Sequence, residues 1–381
     1  MDPIKHEQAT RQSFERLIAV EPQLEACVPL ASIASLSGKT LLHAGPRLRA
    51  GAIPAPILNS AAAAACFEGW AGTHEEAQAA IAAGDIALAP AQDHGVVTPL
   101  AFVVSPSMWV LRVGDARGAA AARYTPINDG PPPGALRFGA RHAEQSARLA
   151  LLSQVGPALA RDIVAPVALL PVLRAGLNGG DDLHGRVTAA NQALYDALAP
   201  RLTGEGRAYL DLANQFVLNL IMASCAVMIG AGGGIADSRM VVAAGGNGVD
   251  FGWKLAGAPD VWHTMPAAAP VGPRFPVAGD SVFLPAIGDS AVIDACGFGA
   301  AALRYAPELM EALRGHGADL YFTAAASTPF LGAHPAFPAD LHVGLGIDRA
   351  MPARGVMLAA LDAAGEKGLI GRGVSPWPIL A

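Results

Sequence analysis

With 381 residues, 52% of them hydrophobic and only 15% charged, the chain carries enough apolar side chain for large buried cores. A formal net charge of -6 and the lack of any basic run exclude a surface that tracks nucleic-acid phosphates or an anionic membrane. Forty-three glycines and 30 prolines predict many tight turns, and so few surface charges point to a homo-oligomer.

Cys27, Cys66, Cys225 and Cys296 are far apart and form no C-x-x-C pair, so they read as reduced thiols of a cytoplasmic protein. The first 25 residues are charged throughout and do not resemble a signal peptide. The most apolar run, Phe216 to Ile229, is too short to cross a bilayer and contains Asn219, which fits a buried helix.

In chain order, residues 1–34 predict a charged helical arm around Gln12 to Ala19 and a proline-punctuated entry. Residues 35–134 predict an α/β domain. It holds a strand at Thr40 to Ala44, an alanine-rich helix at Ser60 to Trp70, and a helix opened by the Thr73/Glu76 capping-box spacing and stopped by Gly84. Strands follow at Asp85 to Ala89, Leu100 to Val104 and Met108 to Val113. His94 sits in a loop after a strand, a place for functional groups or for a merely solvated imidazole. Asn128 to Gly134, with three consecutive prolines, reads as a linker.

Residues 135–208 predict a small helical domain divided by Pro157, Pro166, Pro171 and Pro200. Within it, Asn178 to Arg186 (NGGDDLHGR) is the densest cluster of chemistry in the chain. Leu183, Val187, Ala190, Leu194 and Leu198 recur at helical spacing, so a glycine turn should open into a helix there, with Asp181 as N-cap. That spacing pairs Asp181 with His184 and Asp182 with Arg186, a catalytic set or an ordinary cap with a surface ion pair.

Residues 209–381 predict a second α/β domain, so the fold class is mixed α+β, two α/β domains flanking the helical one. A long helix runs from Tyr209 toward Ile229, with Asp211, Gln215 and Asn219 on one polar stripe facing a site or a structural network. Asn247-Gly248 between apolar runs predicts a hairpin. Beyond it come a strand at Ala291 to Cys296, a helix at Ala300 to Arg314 and a strand at Asp319 to Ala324.

Several motifs fail. Ser37-Gly38-Lys39-Thr40 has Ile33 where a phosphate loop needs glycine, and His74-Glu75 has Gln78 where a zinc protease needs histidine. Gly297-Phe298-Gly299-Ala300-Ala301-Ala302 matches G-x-G-x-x-A without the acidic residue that a dinucleotide requires. Gly297 and Gly299 keep a weaker reading, backbone amides approaching a phosphate, beside the plain one of a tight helix-strand contact. Asp250, Asp289 and Asp294 offer contacts to substrate amides or mark turns. Asp181, Asp182 and His184 offer metal ligands, but the adjacent Arg186 repels a divalent ion, so no metal and no cofactor are expected.

Six runs together resemble the AllG family: Leu42-His43-Ala44-Gly45-Pro46, Phe67-Glu68-Gly69-Trp70-Ala71, Leu136-Arg137-Phe138-Gly139, Gly180 to Arg186, Asn247 to Gly252 and Ile287 to Ala291. They span nearly the whole chain in order. The resemblance implies a subunit of a carbamoyltransferase that interconverts oxalurate plus phosphate with oxamate plus carbamoyl phosphate. Where the family pattern runs Met-Gly-Asp-Glu-x-His-Asn-Arg, this chain shortens one carboxylate, at Asp182, and loses an amide, at Gly185. Under that reading His184 serves as base or donor, with Asp181 or Asp182 fixing its tautomer, and Arg186 or Arg137 holds the phosphate or carboxylate. Asn219 or Asn247 orients the amide. The expected partners are a small anionic amide, carbamoyl phosphate and further subunits. The alternative is a non-catalytic binding or scaffolding subunit.

Overall fold

The computed structural model describes residues 3–34, 36–49, 51–319, 330–347 and 355–377, so the strand expected at 319–324 lies outside the described residues beyond Asp319. The chain is mixed α+β. Its first elements are α1 (Pro3–Ile18), β1 (Pro22–Pro29), β2 (Thr40–His43), α2 (Ala55–Phe67), α3 (His74–Ala83), β3 (Ala87–Pro90), β4 (Trp109–Asp115) and β5 (Arg123–Pro126). A helical stretch follows: α4 (Gln145–Asp162), the short β6 (Val167–Ala168), α5 (Leu170–Asn178), α6 (Thr188–Leu198), α7 (Gly204–Leu212) and α8 (Phe216–Gly230). The remainder is β7 (Val241–Asn247), β8 (Asp250–Leu255), β9 (Ala258–Pro266), β10 (Ile287–Gly288), α9 (Ala291–Cys296), α10 (Pro307–Leu313), β11 (Phe330–Ala333), β12 (His342–Leu345), β13 (Gly355–Leu361) and β14 (Leu369–Pro376).

β2 and β3 pair in parallel through a crossover of α2 and α3. The capping box of α3 forms in full, and the helix ends on Gly84 at φ 83°, where glycine meets no Cβ penalty. The arm is more than a helix. Pro22 and Pro29 stand at the ends of β1, which lies inside an antiparallel sheet ordered β5-β4-β1-β6. A second antiparallel sheet runs β10-β7-β8-β9, and its β7-β8 turn is the expected Asn247-Gly248 hairpin, with Gly248 at φ 83°.

Three expectations in the C-terminal half are corrected. The long helix from Tyr209 is two helices, α7 and α8, meeting at 93°. No glycine or proline marks the elbow at 213–215. Asn191 Oδ1, from α6, accepts the Val217 N-H and caps the second helix from outside. The polar stripe is thereby dissolved: Asp211 binds Tyr195 and Arg207 at the surface, Gln215 sits on the elbow, and only Asn219 is buried. Residues 291–296 form a helix, not a strand, since all six are buried and leave no periodicity to read. The helix expected over 300–314 is a 3-10 stretch at 299–305 and then α10, separated at Pro307. Among the described residues no single helix is long and apolar enough to cross a membrane.

The segment read as a linker is largely buried. Asn128 and Asp129 are about 1% exposed, and Asp129 holds Arg137 in a buried ion pair, accepting from its guanidinium and from its backbone N-H. Arg137 also donates to the Gly130 carbonyl, while Tyr209 Oη donates to the Asn128 carbonyl and Asn219 Nδ2 to that of Pro126. Arg137 and Asn219, expected at a substrate, thus fasten a loop onto α7 and α8. In Arg137→Leu, Asp129 is left as an uncompensated buried charge, and the unfolding free energy should fall by about 3–5 kcal/mol. Urea titration measures this; an unchanged midpoint would refute the clasp.

Candidate active site

The 180–187 segment joins α5 to α6 as a loop, because Gly180 (φ 91°) and Leu183 (φ 68°) turn the chain back before helix geometry begins at Thr188. Helical neighbours are therefore replaced by other partners. Asp182 accepts three consecutive backbone N-H groups, from His184 at 3.3 Å, Gly185 at 3.0 Å and Arg186 at 2.7 Å. Asp181 accepts the Ala190 N-H at 2.8 Å, capping α6 from outside, and the Arg186 Nη1 at 2.9 Å. Arg186 Nη2 reaches Glu308 at 3.1 Å. Burial pushes the Asp182 carboxyl above its ordinary range, against the Gly185 and Arg186 amides that favour the anion.

The partner of His184 is Asp294, not Asp181: Nδ1 lies 2.7 Å from Asp294 Oδ2, and both side chains are buried. A carboxylate only accepts, so Nδ1 carries the proton and Nε2 is the free lone pair, with no hydrogen bond to any described residue. The other Asp294 oxygen accepts the N-H of Ala300 at 2.8 Å and of Met357 at 3.1 Å. This explains the glycines. A Cβ on Gly299 would stand 2.3 Å from Asp294 Oδ1, and one on Gly297 2.5 Å from the His342 carbonyl. Their expected role at phosphate is corrected, because the Gly299 N-H is taken by the Asp182 carbonyl and the Ala300 N-H by Asp294. Gly299 instead leaves room for the Asp294 carboxylate, and Gly297 for the His342 carbonyl.

The residues that follow His184 in the chain, Gly185 to Thr188, line an open cleft of about 450 Å³ together with Asn214, Gln215, Glu308, Leu309 and Arg372. Arg372, on β14, went unnoticed in sequence because nothing local distinguishes it from a surface arginine. Among the described residues no three His, Cys, Asp or Glu side chains come together to hold a metal.

The other expected residues form a second assembly around the β7-β8 hairpin. Asp289 accepts from the Gly45 N-H, the Thr98 N-H and Gln92 Nε2 at 2.8, 3.0 and 2.6 Å. Asn247 accepts the Val249 and Asp250 N-H groups and donates to the Pro46 carbonyl, and Asp250 pairs with Arg49. His94 is exposed on the 3-10 turn 91–94. α9 links the two assemblies: Asp289 lies just before it and Asp294 within it. His43 belongs here too and was missed as a functional candidate. Its Nδ1 donates to the Ala44 carbonyl at 2.8 Å, and its Nε2 is buried without a partner.

Burial lowers His43 from 6.5 to about 4 and raises Asp289 from 3.8 to about 7. The two act oppositely on stability. Between pH 6.5 and 4 the unfolded chain binds the His43 proton and the folded chain does not, so stability is lost as pH falls. Between pH 7 and 3.8 the folded chain holds the Asp289 proton that the unfolded chain has released, so stability rises as pH falls. Thermal melts across this window should show a shallower acid-side loss in His43→Leu and a steeper one in Asp289→Asn, each relative to wild type.

The family described as oxamate carbamoyltransferase subunit AllG matches residues 86–290, a span that includes the 180–187 loop and ends before Asp294 and Arg372. The Escherichia coli (strain K12) protein named oxamate carbamoyltransferase subunit AllG is 31% identical over 318 residues, covering 79% of this chain and 75% of the relative. The uncharacterized protein YahG of the same strain is 29% identical over 320 residues, covering 81% of this chain and 67% of the relative. A crystal structure of a conserved protein of unknown function from Enterococcus faecalis V583 shares the fold, with a TM-score of 0.88 at 24% identity over 98% of this chain and 95% of that one. On the family match and the 31% identical relative, the chain belongs to the AllG family.

Proposed function

We propose that this chain is a subunit of a carbamoyltransferase that moves a carbamoyl group between carbamoyl phosphate and a small anionic amide of the oxamate class, in an assembly with partner subunits. The observation that carries the reading is the buried His184-Asp294 pair, two residues from an arginine that lines an open cleft. The name of the 31% identical relative supports the reaction class.

In the direction from carbamoyl phosphate, the acceptor's amide nitrogen attacks the carbamoyl carbon. The bond from that carbon to the phosphate oxygen breaks, and inorganic phosphate leaves with the electron pair. The nitrogen's proton passes to His184 Nε2, and Asp294 stabilises the imidazolium that forms. Arg186, braced by Asp181 and Glu308, supplies positive charge to an anionic end of the substrates.

The test is oxamate-dependent turnover of carbamoyl phosphate by the chain assembled with the subunits encoded beside it. His184→Gln should lower kcat by about 10²- to 10⁴-fold with the assembly intact. If that variant keeps full activity, the chemistry belongs to a partner, and this chain is the scaffolding subunit.

A further inference from the structure

The charges of the cleft beside Arg186 are unevenly paired. Arg186 is answered twice, by Asp181 and by Glu308. Arg372 lines the same cleft, and among the described residues no carboxylate pairs with it; its Nε is buried without a hydrogen-bond partner. A guanidinium carries five donors in a rigid fork that matches a carboxylate, and leaving a buried donor unsatisfied is costly. Asn214 and Gln215 line the cleft from the elbow between α7 and α8, exposed, with side-chain amides that make no hydrogen bond to described residues. Each offers both donors and an acceptor. Thr188 adds a hydroxyl at the start of α6.

We propose that this cleft binds a small monocarboxylate bearing an amide or urea group, with Arg372 taking the carboxylate through its fork and Asn214 and Gln215 pairing with the amide. Charge selects the class. Counted together, Arg186, Arg372, Asp181 and Glu308 sum to zero, and the one unanswered positive group is Arg372. A single carboxylate neutralises it, whereas a phosphate dianion brings a second negative charge beside Glu308 and Asp181. The cleft's volume of about 450 Å³ exceeds what such a molecule needs, leaving space for a second reactant. Arg372 is thus assigned as a specificity residue. The assignment rests on the carbamoyl-transfer reading for its place in a reaction, but not for the binding itself.

The experiment is calorimetric titration of oxamate into the full chain, with inorganic phosphate as competitor. Wild type should bind oxamate, and phosphate should not displace it. Arg372→Leu should weaken binding by about 10- to 100-fold, and Arg372→Lys by less, since it keeps the charge and loses the fork. Gln215→Ala, on the exposed elbow, should weaken it several-fold with the melting curve unchanged. No binding to wild type, unaltered binding to Arg372→Leu, or displacement by phosphate overturns the proposal. Turnover by the assembled enzyme separates the two readings. Oxamate binding lost in Arg372→Leu without carbamoyl transfer by any variant removes the function and keeps the site; transfer with an unchanged KM for oxamate in Arg372→Leu removes the site and keeps the function.

Discussion

α8 has no face for water. From Leu220 to Ile229 every side chain is buried, so the helix exists only where other elements wrap it on all sides. β4 and β5 pack along it from one sheet and β7 from the other, while α1, α6 and α9 cover the remainder. Its polar groups are closed locally: Ser224 Oγ donates back to the Leu220 carbonyl and Asn219 to Pro126. The position of the candidate site follows from this packing. His184 lies in the loop that leads into α6 and Asp294 lies in α9, so two helices docked on one buried axis bring together residues 110 apart in sequence.

Loops around that axis are held less by regular structure than by buried carboxylates. Asp182 gathers three successive amides, Asp294 ties together the Ala300 and Met357 amides and His184, and Asp289 joins residues 45, 92 and 98. A carboxylate accepts several bonds at once, so it can close a loop in which amides outnumber available carbonyls. Burial of so many anions is costly, and each is offset by the donors around it. Several acids that read as catalytic in sequence are therefore spent on architecture, and Asp294, which read as a contact to substrate amides or a turn residue, is the one that contacts the imidazole.

Local signals survived folding where a local rule decides geometry. The Thr73/Glu76 box, the Gly84 stop and the Asn247-Gly248 turn are all as the sequence implies, because each depends on residues within four positions. Pairings that depend on distant chain were illegible. Nothing near Asp182 says that Gly180 and Leu183 adopt left-handed backbone, so helical spacing named the wrong partners for His184 and Arg186. Nothing near residue 213 says that Asn191 will cap a new helix there, and Pro131 to Pro133 concealed a buried clasp whose other half is Arg137. Arg372 was invisible for a related reason: its significance is a buried Nε without a partner among the described residues, which only the packed chain displays.

The aspartate at 182 and the glycine at 185 act on one loop. The Asp182 carboxylate folds back onto the amides of residues 184, 185 and 186, which draws the loop tight. Tightening brings Gly185 against its neighbours, so that a Cβ there would stand 2.8 Å from both Leu309 Cδ2 and Met357 Cγ. With glycine in that place, this wall of the cleft is bare backbone. The side chains that face this cleft are therefore the elbow amides and the guanidiniums of Arg186 and Arg372, beside Thr188 and Glu308, and under the proposed reading these are the groups left to discriminate among substrates.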